Sequence, residues 1–210
     1  MLKRNQIIRW YEKYNKDPQN DNKLERKILD SIDSVSTFGD FKKLLTDPKE
    51  GILKWKGALR TIHYYDSLDK GKWMSLFNLA KSSMTDPKET VKKIVDFSRT
   101  KMKYKGRLGG ISYPVASTIV YFFNKGQCPV IDWRAVFTLK KHGYTGQLES
   151  VHLYPDKKKR THQLCLEDDG WDDYYKLCHD VVSALKIQRI QEDTPIRILD
   201  KALWWAATSS

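Results

Sequence analysis

Cysteine is scarce in this chain, with three in 210 residues. Cys128, Cys165 and Cys178 show no paired spacing, which argues against a disulfide framework. Histidine is also sparse: the five are scattered, with no metal-ligand pair at helical spacing, and no metal site is expected. No apolar run approaches the roughly twenty residues of a membrane span. The opening residues, Met1-Leu2-Lys3-Arg4-Asn5-Gln6, lead into an amphipathic helix and not into a signal-peptide core. A soluble, cytoplasmic protein with no membrane partner is the expectation. Internal repeats and low-complexity linkers are missing too.

What is present is charge of one sign and a regular apolar pattern. Lys and Arg number 38 against 26 Asp and Glu, a net charge of +12 with a pI near 9.5. That surplus favours a polyanionic partner, most simply nucleic acid, although an acidic membrane surface would also satisfy it. Hydrophobic residues make up 40%, enough for a sizeable core. The length allows one large domain or two small lobes.

The pattern is helical almost throughout. Ile7, Ile8, Tyr11 and Tyr14 share one helix face, and Leu24, Ile28, Leu29 and Ile32 a second. Phe38, Phe41, Leu44 and Leu45 predict a short third helix. Asp47-Pro48 reads as a cap with a first-turn proline, opening a stretch with Ile52, Leu53 and Trp55. Further helices are predicted around Leu59–Tyr65, Trp73–Ala80 and Val91–Phe97, with no sustained strand alternation among them. Residues 143–170 differ: they are polar, lack periodicity and hold the run Lys157-Lys158-Lys159-Arg160. They read as a long inserted loop with room for a small hairpin of strands. Helical signals return at Trp171–Leu185 and Pro195–Trp205.

The most informative segment is Gly106 to Leu139, GRLGGISYPVASTIVYFFNKGQCPVIDWRAVFTL. Leu108-Gly109-Gly110-Ile111-Ser112 can turn sharply, because glycine tolerates backbone angles that other residues resist. Ser112 is placed to cap the next helix, and Pro114 falls in its first turn, where no amide hydrogen is needed. Val115, Ala116, Ile119, Val120 and Phe123 form an apolar face, and Gly126 is the expected stop. Cys128-Pro129-Val130-Ile131 then leads to Asp132, at the positive end of a helix begun by Trp133.

This segment resembles the helix-hairpin-helix DNA glycosylases. Their hairpin has the form Leu-x-Gly-Val/Ile-Gly and is followed by a helix and an apolar-apolar-Asp sequence holding the catalytic carboxylate. The corresponding residues are Leu108-Gly109-Gly110-Ile111-Ser112 and Val130-Ile131-Asp132. Ser112 in place of the second glycine is a departure. Bifunctional members carry a catalytic lysine eighteen residues before the aspartate, where this chain has Pro114. Many members also bind an iron-sulfur cluster through four closely spaced C-terminal cysteines, a set this sequence lacks, so no cluster or other cofactor is expected.

The resemblance implies an all-α fold of two helical lobes with the active site in the cleft between them. Residues 31–126 would form the hairpin-bearing lobe, and 1–30 with 127–210 the second. It implies a monomeric, monofunctional glycosylase acting on double-stranded DNA, with Asp132 catalytic. The amides of Leu108–Ser112 would hold backbone phosphates, with Lys105 and Arg107 adding charge. Tyr113, Pro114, Trp133 and Arg134 are candidates to line the base pocket. Blander readings stand beside these: a simple helix-to-helix turn, an Asp132 that only caps its helix, and an Arg134 in a surface salt bridge. Trp204 and Trp205 are read as core, and the Lys157–Arg160 run as either DNA-facing or solvated. The rival functions are a non-catalytic DNA-binding module that recognises structure or lesions and, more remotely, an RNA-binding helical protein.

Overall fold

The computed structural model describes residues 1–18, 20, 22–98, 103–104, 107–108, 111–156 and 161–208, the pairs 103–104 and 107–108 by backbone alone. Among these residues the chain is mostly helical, with eleven α-helices and two two-stranded antiparallel ribbons. It divides into two compact units, Met1–Asn20 with Gly126–Ser210, and Asp21–Lys125.

The discontinuous unit begins with α1 (Arg4–Lys16). The chain then builds the other unit from α2 (Asn22–Ser31), α3 (Phe38–Thr46), α4 (Ile52–Trp55), α5 (Ile62–Asp66), α6 (Lys70–Ser82) and α7 (Pro87–Ser98). The ribbon β1 (Lys103–Tyr104) and β2 (Arg107–Leu108) follows, then α8 (Tyr113–Phe123). Returning to the first unit, it forms α9 (Trp133–Lys141), β3 (Val151–Asp156), β4 (Thr161–Leu166), α10 (Gly170–Ala184) and α11 (Pro195–Thr208).

In the unit of residues 21–125, α8 is the central helix. Every residue from Val115 to Phe123 is buried, as expected of a helix that is apolar all round. Phe41 of α3 stacks on Phe77 of α6 with centroids 5.5 Å apart, and meets Trp73 and Phe123 edge-on. Burying each such ring contributes on the order of 1.5–3 kcal/mol. The unit begins with α2 rather than after residue 30, because α2 has its own partners there. Leu24 and Ile28 are buried, and the 2%-exposed Glu25 accepts a hydrogen bond from the Tyr121 hydroxyl of α8. Tyr121 also stacks flat on Trp55 of α4.

Two local expectations are corrected in this unit. Asp47 does not open α4; it ends α3 and turns the chain, its Oδ1 accepting from the amides of Lys49 and Glu50 at 2.8 and 2.9 Å. Gly51 caps α4 instead, and a Cβ there would sit 2.6 Å from the Asp47 carbonyl oxygen. The β1–β2 ribbon precedes α8 although no strand is predicted there. It pairs Lys103 with Leu108 and Tyr104 with Arg107, too short a run to show alternation.

In the other unit, α11 is the buried helix, with every residue from Ile196 to Leu203 buried. Ile7, Tyr11 and Tyr14 of α1 are buried, and Tyr14 meets Trp204 edge-on at 5.6 Å. The Tyr11 hydroxyl donates to Asp193 at 2.9 Å, and the same carboxylate oxygen receives Lys201 Nζ at 2.6 Å. Burial and the Asp193 charge push the Tyr11 hydroxyl up to about 12. The 143–170 insertion is a real hairpin, in register from Val151↔Leu166 to Asp156↔Thr161. Lys157–Arg160 lie outside the described residues. His162 of β4 packs its ring on Trp133 and Phe137 of α9, at 5.3 and 5.4 Å. Gly170 starts α10 where a Cβ would fall 2.5 Å from the Ser150 carbonyl oxygen.

Candidate functional site

The sequence-predicted residues lie at the starts of two helices, α8 in one unit and α9 in the other. At α8, Ile111 is buried and its amide is held by a hydroxyl. Ser98, at the end of α7, accepts from the Ile111 amide at 2.7 Å and donates its own proton to the Val95 carbonyl at 2.7 Å, with the Ile111 carbonyl farther away at 3.3 Å. Ser112 occupies the N-cap position in extended conformation, and its carbonyl accepts from the amides of Val115 and Ala116 at 3.0 and 2.8 Å. Its hydroxyl makes no capping bond, contrary to expectation, and the residue is exposed. Tyr113 and Pro114 occupy the first turn, half-buried. The proline brings no amide hydrogen to that turn. Of the remaining predicted hairpin residues, Lys105, Gly109 and Gly110 lie outside the described residues, and Arg107 and Leu108 are described only as the backbone of β2.

At α9, the approach through Cys128, Pro129, Val130 and Ile131 is buried. Asp132 then takes the N-cap position in extended conformation, φ −141° and ψ 148°, and its Oδ1 accepts from the Arg134 amide at 2.9 Å. This bond satisfies one of the donors that a helix start leaves open. The same oxygen lies 3.5 Å from the Arg134 guanidinium, with the two side chains 20% and 28% exposed. Arg134 is held in turn by aromatic faces, its guanidinium carbon 4.7 Å from the Trp133 ring centre and 4.9 Å from that of Trp204. Such contacts favour the cation by about 0.5–2 kcal/mol. The site is therefore a half-sheltered carboxylate on a rigid helix start, flanked by a guanidinium and indole surface.

Sequence reasoning missed four residues around it. Trp204, read as core, is half-buried over Arg134. His162 arrives on the hairpin, against Trp133. Tyr174 of α10 and Asp200 of α11 bind the backbone of Val130: the hydroxyl donates to its carbonyl at 3.1 Å, and the carboxylate accepts from its amide at 3.0 Å. Burial, with Cys178 and Asp200 nearby, raises the Tyr174 hydroxyl well above its ordinary range, so it remains a donor. The available signal was Arg197, Asp200 and Lys201 interrupting a largely apolar run.

The thiols beside this region are not poised to react. Cys128 and Cys178 are buried and reduced, and burial raises both far above the usual thiol range. Among the described residues no group of three or more His, Cys, Asp or Glu side chains is placed to hold a metal ion. No described helix is long and apolar enough to cross a membrane. Comparison with protein-family models, with curated proteins and with solved structures finds no match to this chain.

Proposed function

We propose that the chain is a monofunctional DNA glycosylase, which extrudes a damaged or modified base from double-stranded DNA and hydrolyses its N-glycosidic bond. The observation that carries this reading is Asp132: a carboxylate fixed by the Arg134 amide and one-fifth exposed, at the register position the helix-hairpin-helix resemblance assigns to catalysis. Breaking the bond between the base and C1′ builds positive charge on the sugar. A fixed carboxylate stabilises that charge and orients the attacking water, whose oxygen bonds to C1′ while a proton passes to the departing base.

Extruding the nucleotide costs a few kcal/mol, so the protein must grip the strand on both sides of it. The net charge of +12 supplies general attraction to phosphate. The start of α8, with its exposed Ser112 and an approach anchored by Ser98, suits a sequence-blind contact to the backbone. Pro114 offers no amine for a Schiff base, so the product is an abasic site in an uncut strand. Lys201, a buried amine, is engaged with Asp193 and does not replace it. The enzyme acts as a monomer without a cofactor.

One observation also favours a second reading, a DNA-binding module without catalysis. The Asp132 oxygen that caps α9 is also the one nearest Arg134, an arrangement that structure alone would justify. Asp132→Asn separates the two, since asparagine caps a helix as well as aspartate but carries no charge. Wild type and Asp132→Asn are tested on duplexes carrying alkylated, deaminated, oxidised and hypermodified bases, with strand cutting scored before and after alkali. Alkali-dependent cleavage by wild type alone supports the enzyme. Equal binding by both, with no base released, supports the module.

A further inference from the structure

The chain leading to Asp132 is tied at Val130, two residues upstream, by side chains from distant parts of the sequence. Asp200 Oδ2 accepts the Val130 amide at 3.0 Å, and the Tyr174 hydroxyl donates to the Val130 carbonyl at 3.1 Å. Asp200 is 5% exposed and Tyr174 is fully buried. A carboxylate at that depth of α11 is costly compared with an apolar residue of similar size. Along the same stretch of α11, Ile196, Ile198, Leu199, Ala202 and Leu203 are buried and apolar, and Arg197 and Lys201 are buried and charged. The Val130 amide, in a buried residue outside any helix or strand, requires an acceptor, and Asp200 supplies it.

We propose that Asp200 and Tyr174 are positioning residues for Asp132, acting through the Val130 peptide groups. This rests on the glycosylase reading of Asp132. Val130 and Ile131 are buried, and Asp132 is extended, so a shift at Val130 is carried along the backbone to the carboxylate. The tether comes from α10 and α11. It fixes where the cap residue starts, while the Arg134 amide fixes where its side chain ends. A displacement of about 1 Å at a reacting group costs up to ~100-fold in rate.

The test compares Asp200→Ala, Asp200→Asn and Tyr174→Phe with wild type in three measurements: single-turnover base release, duplex affinity and amide hydrogen exchange at Val130. Asparagine keeps an oxygen that can accept the Val130 amide, so it serves as the rescuing variant. Asp200→Ala is expected to slow base release by about 10- to 100-fold, with duplex affinity unchanged and faster exchange at Val130. Asp200→Asn restores both rate and protection, and Tyr174→Phe falls between. The proposal is overturned if Asp200→Asn is as slow as Asp200→Ala, if affinity falls in step with rate, or if Val130 protection survives in Asp200→Ala. Where Asp200→Ala does not fold, the same contrasts are read from Tyr174→Phe and Asp200→Asn. Should wild type release no base at all, the glycosylase reading fails on that result alone. Exchange then decides the tether: protection lost in Asp200→Ala and regained in Asp200→Asn upholds it, and unchanged protection overturns it.

Discussion

The approaches to α8 and α9 solve one problem with different chemistry. Each has, just before its helix start, a buried residue outside any helix or strand whose amide is held by a side chain from elsewhere. At Ile111 a neutral hydroxyl, Ser98, accepts the amide from thirteen residues away. At Val130 the work is divided between a carboxylate and a phenol, 70 and 44 residues distant. The helix starts differ as well. The Ser112 hydroxyl is left out of its cap, whereas Asp132 closes its own. An open helix start with a local anchor suits contact to a repeating phosphate chain, where small adjustments are tolerated. A closed start with a long-range tether suits a carboxylate that must meet one reacting atom. On the proposed reading, the first grips and the second does the chemistry.

The largest expected effect separates those roles. Asp132→Asn should lower single-turnover base release by about 100- to 1,000-fold, the scale of losing one preorganised electrostatic group. Melting temperature and duplex affinity should stay near wild type. A comparable loss of affinity would place Asp132 among the gripping residues and break the division.

Ser98→Ala is the matching change on the other side. It leaves the buried Ile111 amide without its acceptor and should cost about 1–3 kcal/mol of stability by denaturant titration. Duplex affinity should weaken, while the rate at saturating protein holds. A variant with wild-type affinity and a slowed rate would reverse the assignment.

The α1–α11 contact sharpens the contrast between buried charge and neutral anchors. The Tyr11 hydroxyl is raised from its ordinary value near 10 to about 12 in the folded chain. Its contribution is complete below the unfolded value, because both states then keep the proton. It is lost as pH rises through 10 toward 12, where the unfolded chain ionises first. Stability should therefore fall over that window, and more shallowly in Tyr11→Phe. Parallel curves for the two proteins would count against the Tyr11–Asp193 bond.

The smallest effect is expected at the hairpin. His162→Ala removes ring contacts with Trp133 and Phe137 worth about 0.5–1.5 kcal/mol. Its measurable result should be a modest fall in melting temperature with base release little changed. A large loss of base release would bring His162 into the site.

Much of this was legible in the sequence, and the failures have physical causes. The apolar face Val115, Ala116, Ile119, Val120 and Phe123 announced α8, and an Asp after four mostly apolar residues announced the cap of α9. Both are local signals. Asp47-Pro48 misled because an aspartate that caps a helix and one that closes a turn bond the same following amides, here Lys49 and Glu50. Ser112 has the right residue type for a cap, but its side-chain rotation is not written in the sequence. The partners of Val130 were invisible for another reason. Asp200 and Tyr174 reach it only once α10 and α11 have packed, and no short-range pattern encodes a bond across 70 residues. The charged residues within the run Ile196–Leu203 were the available hint, and only their burial gives it meaning.

The division is tested most directly by measuring duplex affinity and single-turnover base release side by side for Ser98→Ala and Asp132→Asn. The substrate is whichever modified duplex wild type acts on. The account predicts crossed results: weaker affinity with a preserved saturating rate for Ser98→Ala, and preserved affinity with a collapsed rate for Asp132→Asn. If both variants lose affinity and rate together, or if Asp132→Asn releases base at the wild-type rate, the account is contradicted.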